Sequence, residues 1–327
     1  MKLKRLGRTD LKITQLSLGG LFVSSWGGPF EQAKAAVHRA LDLGINFIDT
    51  APGYGNSEEV LGKILEGVNK PLIISTKLGG RPQPFQPQDK AGLMQSVEES
   101  LRLLHRDHID ILLIHEPDRP RQYDWWSDWD HFTGPVLELL DELKKKGIIR
   151  YTGLGGTTAY ELARIMNTGR FDVVLTAFNY SLLWREAEIA VLPAAKKNKM
   201  GVIIGSPLQQ GALARRYDEE VRKGAPWLSP PRRRQYKELY KLLDDTRMPI
   251  VEMAMRFVIS NPVVSCVLTG SRSSEEVEQN YAAVEKGPLP KSLLQELDAI
   301  AAMVPFRPFE EPFGLPFNGN YKGPGTA

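Results

Sequence analysis

The sequence predicts an α/β fold, a (β/α)8 TIM barrel, and three observations lead to that class. First, short apolar runs rich in β-branched residues alternate with segments of helical spacing, and eight such pairs can be counted along the 327 residues. Second, these runs are apolar nearly throughout, which is typical of parallel strands covered on both faces. Third, at about 30–40 residues per pair, eight pairs account for most of the chain and leave room for additional segments.

The bounds of each element follow from the apolar runs and from the residues that flank them. The predicted strands are Gln15–Leu18, Asn46–Asp49, Leu72–Thr76, Ile109–Ile114, Ile149–Gly153, Val173–Phe178, Gly201–Gly205 and Ser265–Leu268. The predicted helices begin near Glu31, Ser57, Asp89, Gly134, Thr158, Glu186, Pro249 and Ser273. Several of these starts carry Ser, Thr or Asp, whose side chains accept hydrogen bonds from the first N–H groups of a helix.

Further segments lie outside the eight pairs. Residues 1–14 are expected to form an N-terminal β-hairpin that caps the barrel. Long loops are predicted after strand four, over Glu116–Thr133, and after strand seven, over Ser206–Met248. An extra helix over Ser292–Met303 precedes a C-terminal tail rich in Pro and Gly. We expect residues 1–327 to form one barrel domain.

The composition narrows the class of protein. Hydrophobic residues make up 42% and charged residues 25% of the chain, as in folded globular proteins. A net charge of +3 is too small for a broad nucleic-acid or anionic-membrane surface, so small-molecule partners are favoured. No run of about 18 apolar residues predicts a membrane span. With one cysteine, Cys266, and no apolar leader behind the basic N-terminus, we expect a cytoplasmic protein.

Four polar residues mark the ends of three consecutive predicted strands. Asp49 ends the second strand and Tyr54 follows it, Lys77 ends the third, and His115 ends the fourth. Because the carboxyl ends of barrel strands share one rim, we expect these side chains to converge. A lysine ammonium beside a phenol favours the phenolate and lowers the Tyr54 pKa from about 10, while the carboxylate keeps the lysine charged. The four residues therefore predict a proton-transfer site.

The stretches that carry these residues resemble one known family, the aldo-keto reductases, over nearly the whole chain. The stretch Asn46–Gly55, with Ser57–Gly62 behind it, is similar to the family signature around its catalytic Asp and Tyr. Further matches are Ile74–Lys77, Leu112–His115, Ser206–Leu208 and Gly270–Ser273. The resemblance implies reversible hydride transfer between a nicotinamide cofactor, NAD(P)(H), and a small carbonyl compound or sugar.

The resemblance also implies a role for each residue of the rim. Tyr54 would act as general acid and base, Lys77 paired with Asp49 would tune it, and His115 would orient the substrate oxygen. These are the four expected catalytic residues. Some relatives of this family associate with channels, so a cofactor-sensing regulatory subunit with little turnover is the alternative function that the resemblance leaves open.

The family binds its cofactor without a Rossmann domain, and the GxGxxG fingerprint is absent from this chain. The cofactor-binding residues that the resemblance implies follow strands five to eight: Gly155, Gly156, Asn179, Ser206, Leu208, Gln210, Gly211, Gly270, Ser271, Arg272, Glu276 and Asn280. The helix start near Ser273 also offers free N–H groups and a positive dipole end to a phosphate.

The chain departs from the family pattern where the nicotinamide is expected. Gly155 and Gly156 stand where the family usually has Ser-Asn to hold the carboxamide, and Asn179 is the expected substitute. Gly205 stands where an aromatic ring commonly stacks on the nicotinamide. The face of the nicotinamide ring must therefore be covered by another group or by the backbone.

A further departure concerns the choice between NAD and NADP. Glu276 stands where many members have a basic residue; it would repel a 2′-phosphate and could accept a hydrogen bond from a free 2′-hydroxyl. Arg272 would have the opposite effect, because its positive charge favours a 2′-phosphate. We expect NAD(H) to be used at least as well as NADP(H).

Aromatic residues are concentrated on segments expected above the barrel mouth. The expected substrate-pocket residues are Trp26, Trp125, Trp126, Trp129 and Trp227. The tail adds Phe306, Phe309, Phe313, Phe317 and Tyr321. Such rings suggest an apolar or sugar-stacking pocket, and rings that merely fasten long loops to the barrel are an equally suitable interpretation.

Two other constellations carry weaker signals. His105 and His108 have a spacing compatible with a metal pair, but the sequence places no third ligand near them, so no metal site is predicted. Glu116 and Asp118 follow His115 and could be the two carboxylates of a barrel glycosidase, which would need no nicotinamide. The sequence leaves open whether the chain forms a homo-oligomer.

Overall fold

The computed structural model describes residues 1–120 and 123–306 of the chain. Four of the tail aromatics lie outside these residues: Phe309, Phe313, Phe317 and Tyr321. In the described ranges, no helix combines the length and the apolar character needed to cross a bilayer. The expectation of a single domain over the whole chain stays a prediction.

The predicted hairpin closes the amino-terminal end of the barrel. Strand β1 (Leu3–Arg5) pairs antiparallel with β2 (Lys12–Thr14). Leu6 and Ile13 are fully buried among the side chains inside the barrel. At the turn, Gly7 has a φ of +55°, and an added Cβ would lie 2.1 Å from the backbone nitrogen of Gly201, so only glycine allows this approach.

Eight parallel strands form the barrel that the sequence predicts. They are β3 (Leu16–Gly19), β4 (Phe47–Asp49), β5 (Ile73–Leu78), β6 (Ile109–His115), β7 (Ile149–Gly156), β8 (Val173–Ala177), β9 (Gly201–Gly205) and β10 (Cys266–Gly270). Each strand pairs with the next along the chain, and β10 pairs with β3 to close the barrel. All eight predicted strands are confirmed, with ends that differ by at most three residues.

Helices surround the strands. They are α1 (Phe30–Asp42), α2 (Ser57–Leu65), α3 (Lys90–Leu104), α4 (Pro135–Lys145), α5 (Ala159–Met166), α6 (Glu186–Ile189), α7 (Val191–Asn198), α8 (Asp218–Lys223), α9 (Pro230–Thr246), α10 (Ile250–Ser260), α11 (Ser274–Glu285) and α12 (Lys291–Ala302). The predicted extra helix is α12. Side-chain caps begin α3, where Asp89 accepts from Ala91 N–H, and α11, where Ser273 accepts from Glu276 N–H.

The segment predicted as a long loop after the seventh strand is largely helical, which corrects that expectation. Helix α9 has 17 residues, and the Ser229 side chain caps it by accepting from Arg232 N–H. Tyr236, Leu239 and Leu243 recur at helical spacing and are buried against the barrel. Their period was the signal for this helix in the sequence.

Alternation along the strands decides what faces the barrel interior. Phe47, Leu113, Leu175 and Ile203 belong to an apolar cluster inside the barrel. Because side chains alternate, the residues two positions further along point into the mouth. On β4 that residue is Asp49, so the fold carries polar chemistry at the carboxyl-terminal rim.

We predict that Gly62→Ala destabilises the fold. An added Cβ would lie 2.0 Å from the carbonyl oxygen of Leu103, because α2 and α3 pack backbone to backbone there. We expect the free energy of unfolding to fall by about 1–3 kcal/mol in denaturant titration. Lys63→Ala is the matched control, since it removes only an exposed ion pair with Glu59, and such surface pairs contribute little to stability. Equal stability of Gly62→Ala and wild type would contradict this packing.

Candidate active site

A buried ion pair between neighbouring strands forms the centre of the site. Lys77 Nζ lies 2.6 Å from Asp49 Oδ2, and the two side chains are 1% and 2% exposed. Ser75, opposite Asp49 in the strand register, donates its hydroxyl to Asp49 Oδ1 at 2.5 Å. Lys77 Nζ also donates to the carbonyl oxygen of Thr50 at 2.7 Å. Both carboxylate oxygens and two ammonium hydrogens are thus bonded, which fixes the direction of the remaining N–H.

Tyr54 and His115 stand beside this pair. Lys77 Nζ lies 4.6 Å from the centroid of the Tyr54 ring. The Tyr54 and His115 rings meet edge to face, with centroids 5.8 Å apart. Tyr54 is held in the turn after β4, where its N–H donates to the Ala51 carbonyl at 3.1 Å. The structure therefore brings together the four residues that the sequence placed on one rim.

Burial favours the neutral form of both Tyr54 and Lys77, but it decides the protonation state of Tyr54 only. Burial raises the pKa of Tyr54, and the Lys77 charge counteracts this rise without reversing it. The net lowering of the Tyr54 pKa that the sequence predicts is not found. Removing the phenolate from water destabilises it more than the Lys77 ammonium stabilises it. Burial alone would lower the pKa of Lys77, but Asp49 and Tyr54 together outweigh the effect of burial, and the pKa is raised. At neutral pH, Lys77 is charged and Tyr54 keeps its proton.

His115 is a neutral imidazole in this environment. Burial, followed by the charges of Lys77 and Arg119, lowers the pKa of His115 to about 3. Its backbone is fixed from behind, since Trp125 Nε1 donates to the His115 carbonyl at 2.9 Å. A neutral imidazole can donate one hydrogen bond without carrying a charge.

Two of the tryptophans expected in the pocket fasten a loop instead. Trp125 and Trp126 are 0% and 3% exposed. Trp126 Nε1 donates to the carbonyl of Pro117 at 2.9 Å, as Trp125 does to His115. Enclosed rings present no face to a substrate, so the expectation of a pocket role is corrected for these two.

The other three tryptophans lie nearer the surface. Trp129 packs edge to face on Phe132 in the loop after β6. Trp227 packs between two tyrosines of the segment after β9, Tyr217 and Tyr236. Trp26 is 58% exposed, and its indole lies 3.3 Å from where a Cβ on Gly55 would be. Trp26 thus stands next to the catalytic turn, and its pocket role stays a prediction.

Small residues end the strands on the far side of the mouth. A Cβ on Gly155 would lie 3.5 Å from Lys77 Cε, and one on Gly205 would lie 3.4 Å from Ala177 Cβ. The barrel floor beside Lys77 is therefore low and free of long side chains on β7, β8 and β9. Asn179 is fully buried after β8, and its Nδ2 donates to Thr176 Oγ1 at 2.8 Å.

The loop after β9 curls tightly above this floor. Ser206 and Gln210 have positive φ values of 53° and 52°, and Gly211 follows with 100°. Within the turn, the N–H groups of Gln209 and Gly211 donate to the carbonyls of Ser206 and Leu208 at 3.1 and 3.0 Å. Leu208 is partly buried at its base, and Gln210 is exposed.

Helix α11 begins at the next strand end. Glu276 Oε2 accepts from the backbone N–H of Arg272 at 2.8 Å. The Arg272 guanidinium lies 4.4 Å from the centroid of the Phe22 ring. Asn280 Nδ2 donates to Ser271 Oγ at 3.3 Å, and Gly270, which ends β10, is exposed. Glu276 thus caps the start of α11, while the Arg272 guanidinium stacks on the Phe22 ring outside the helix.

Asp118 is enclosed beside Gly156, which no pattern in the sequence predicts. Asp118 Oδ2 accepts from the N–H groups of Thr157 and Thr158 at 2.9 and 2.5 Å. A Cβ on Gly156 would lie within 2.8 Å of this carboxylate, so Asp118 occupies the space of a side chain at 156. In the described ranges, no three His, Cys, Asp or Glu residues are grouped to hold a metal ion.

The comparisons with known proteins agree with this geometry. The sequence model described as the Aldo/keto reductase family matches residues 15–302. L-galactose dehydrogenase of Arabidopsis thaliana is 31% identical over 314 residues, covering 92% of this chain and 94% of that protein. Pyridoxal 4-dehydrogenase of Microbacterium luteolum is 28% identical, covering 86% and 93%.

A solved structure shares the architecture. The holo form of an aldo-keto reductase from Bacillus halodurans has a TM-score of 0.75 and 28% identity, covering 92% of this chain and 96% of that one. The chain belongs to the aldo/keto reductase family. It is an oxidoreductase of carbonyl and alcohol groups built on a TIM barrel.

We predict that His115 remains neutral at pH 5. Its imidazole should show no NMR midpoint near pH 6.5, whereas exposed His131, whose pKa is raised by its hydrogen bond to Asp128, should titrate above that value. In the unfolded chain His115 is protonated near pH 6.5, and in the folded protein only near pH 3. His115 therefore lowers the free energy of unfolding as the pH falls from 6.5 to 3. A midpoint near 6.5, assigned with His115→Asn, would contradict the burial.

Proposed function

We propose that the protein is an NAD(P)(H)-dependent reductase or dehydrogenase in which Tyr54 is the general acid and base. The observation that carries this proposal is the buried pair of Asp49 and Lys77, 2.6 Å apart, with the Tyr54 ring beside the ammonium. A proton donor, a fixed positive charge and a neutral imidazole meet at one barrel rim. This is the set of groups that protonation of a nascent alkoxide requires.

Tyr54 is suited to give a proton in the reducing direction. Burial raises its pKa, so the phenol is protonated at neutral pH. When the proton leaves, the Lys77 charge stabilises the phenolate that forms. Asp49 keeps Lys77 charged and holds it in place. In the oxidising direction, the same phenolate takes the alcohol proton.

His115 would orient the substrate oxygen. Its ring meets the Tyr54 ring edge to face, so both can reach one oxygen atom. With a pKa of about 3, the imidazole donates a hydrogen bond and does not compete with Tyr54 as an acid. Burial thus keeps Tyr54 protonated as the proton donor and His115 neutral as a hydrogen-bond donor.

The residues present fit a nicotinamide dinucleotide. The strand ends at Gly155, Ala177 and Gly205 carry no long side chain where the nicotinamide ring would lie beside Lys77. The pyrophosphate would lie along the curled loop after β9, as the family resemblance implies, at Ser206, Leu208, Gln210 and Gly211. When bound, the cofactor supplies or accepts the hydride.

The far end of the cofactor would lie at the start of α11. The residues expected there are Gly270, Ser271, Arg272, Glu276 and Asn280. The backbone N–H of Arg272 holds the Glu276 carboxylate at the helix start, where its charge would repel a 2′-phosphate and so supports use of NAD(H) at least as well as NADP(H). The stacked Arg272 guanidinium is the group that would favour a 2′-phosphate.

The proposed substrates are small aldehydes, ketones or sugars. The names of the relatives support this class, since one acts on L-galactose and another on pyridoxal. The polar groups of the barrel rim suit a compact polar molecule, and the expected pocket residue Trp26 would add an exposed ring beside the Tyr54 turn.

We predict that Tyr54→Phe lowers turnover of aldehydes by at least about 1,000-fold, because the phenol is the only proton donor beside Lys77 in the described site. Binding of NADH and NADPH, followed in parallel by calorimetry, should be unchanged. Tyr160→Phe, at a 54% exposed position, is the control and should retain full activity. Retained turnover in Tyr54→Phe would contradict the proposal. Tight cofactor binding without any turnover by the wild type would favour the regulatory subunit.

A further inference from the structure

A second ion pair lies behind the catalytic rim and takes no direct part in the proposed proton transfer. It joins Glu58, in the first turn of α2, to Arg81, in the segment after β5. The Glu58 side chain is 2% exposed and that of Arg81 is 21% exposed. Enclosed ion pairs often stabilise a fold no more than well-packed apolar residues would. Stability alone therefore does not account for this pair.

Each oxygen of the Glu58 carboxylate is bonded to a residue close to Lys77 in the chain. Oε1 accepts from the hydroxyl of Thr76 at 2.6 Å, and Thr76 directly precedes Lys77 on β5. Oε2 accepts from Arg81 Nη2, which also donates to Ser100 Oγ on α3 at 2.6 Å. The Glu58 carboxylate thus holds the chain on both sides of the lysine.

The start of α2 is also bonded to the turn that carries Tyr54. The N–H of Ser57, the residue before Glu58, donates to the Tyr54 carbonyl at 3.0 Å. The Ser57 hydroxyl donates to the Gly20 carbonyl at 2.7 Å and lies 2.8 Å from Thr50 Oγ1, so this end of α2 is fixed against the barrel. Tyr54 and Glu58 thus belong to one short stretch of fixed backbone.

Two glycines that precede Arg81 contact two parts of the rim. A Cβ on Gly79 would lie 3.1 Å from His115 Cβ. A Cβ on Gly80 would lie 3.5 Å from the backbone nitrogen of Gly53, in the turn after β4. Because neither glycine has a side chain to pack, the side chain of Arg81 is what fixes the end of this segment.

We propose that Glu58 and Arg81 form a positioning pair that sets the place of Tyr54 relative to Lys77. This inference rests on the proposed function, in which Lys77 stabilises the Tyr54 phenolate. The ion pair holds the segment after β5 against the turn after β4, which keeps the Tyr54 ring centroid 4.6 Å from Lys77 Nζ. Asp49 fixes the ammonium, and the second ion pair fixes the ring.

Loss of the pair would let the Tyr54 ring move away from the ammonium. Burial raises the pKa of Tyr54, and Lys77 opposes this rise. The charges of Asp49 and Glu116 add to the rise, and neutral His115 contributes no charge. A more distant ammonium would therefore leave the Tyr54 pKa higher. Alcohol oxidation requires the phenolate, so its increase with pH would occur at higher pH.

Arg81→Met tests this role, because it removes the guanidinium and keeps an apolar stem. We expect kcat for reduction of propanal by NAD(P)H to fall by about 10–100-fold, since small misplacements of reacting groups have effects of that size. The midpoint of the pH profile for oxidation of 1-propanol should rise by about half a pH unit or more. Arg81→Lys, which keeps the charge, should recover part of the loss in kcat.

Two further quantities should stay nearly constant in Arg81→Met. KM for propanal should change less than about 3-fold, because the pair does not contact the substrate. NAD(P)H affinity, measured by calorimetry, should be unchanged, because the expected cofactor residues follow β7 to β10 and the ion pair lies at α2 and β5.

Arg256→Met is the matched control, because Arg256 pairs with Glu252 on α10 at 2.9 Å and these side chains are 13% and 12% exposed. It should lower the thermal midpoint about as much as Arg81→Met and leave kcat and the pH profile unchanged.

Wild-type kcat and pH midpoint in Arg81→Met, or an equal loss of kcat in Arg256→Met, would overturn the positioning role and leave the proposed function intact. If Arg81→Met does not fold, wild-type kcat and pH midpoint in Arg81→Lys would overturn it. No turnover of propanal by wild type would overturn both.

Discussion

The buried ion pair of Asp49 and Lys77 is the interaction on which the rest of the site depends. Two charges are taken out of water, and this is tolerated only where further hydrogen bonds satisfy both groups. Ser75 and the Thr50 carbonyl supply those bonds from the same two strands. Removing one partner would leave an uncompensated charge, which typically costs about 3–5 kcal/mol. The barrel thus maintains a positive charge at a fixed place beside Tyr54.

The other features of the mouth follow from that fixed charge. Lys77 helps to keep His115 neutral, after burial, and stabilises the phenolate form of Tyr54. Small residues on β7, β8 and β9 leave room beside the ammonium. The enclosed Trp125 holds the His115 backbone from behind, so the part of the loop after β6 that carries Trp125 supports the wall of the site.

The sequence predicted the barrel, its strands and the rim because these depend on local period and on the shared geometry of strand ends. It could not predict the direction of the Tyr54 pKa, which is decided by desolvation against the charge of Lys77. It could not separate an enclosed ring from a pocket ring, since the burial of Trp126 depends on a loop folding back onto the barrel.

A double-mutant cycle on kcat/KM for aldehyde reduction tests most directly whether Asp49 acts through Lys77. Asp49→Asn and Lys77→Met should each lower kcat/KM strongly, and the double variant should be no slower than Lys77→Met alone, because the two residues act as one unit. Losses that multiply in the double variant would show that Asp49 and Lys77 act independently. That result would contradict the ion pair as the origin of the Tyr54 proton chemistry.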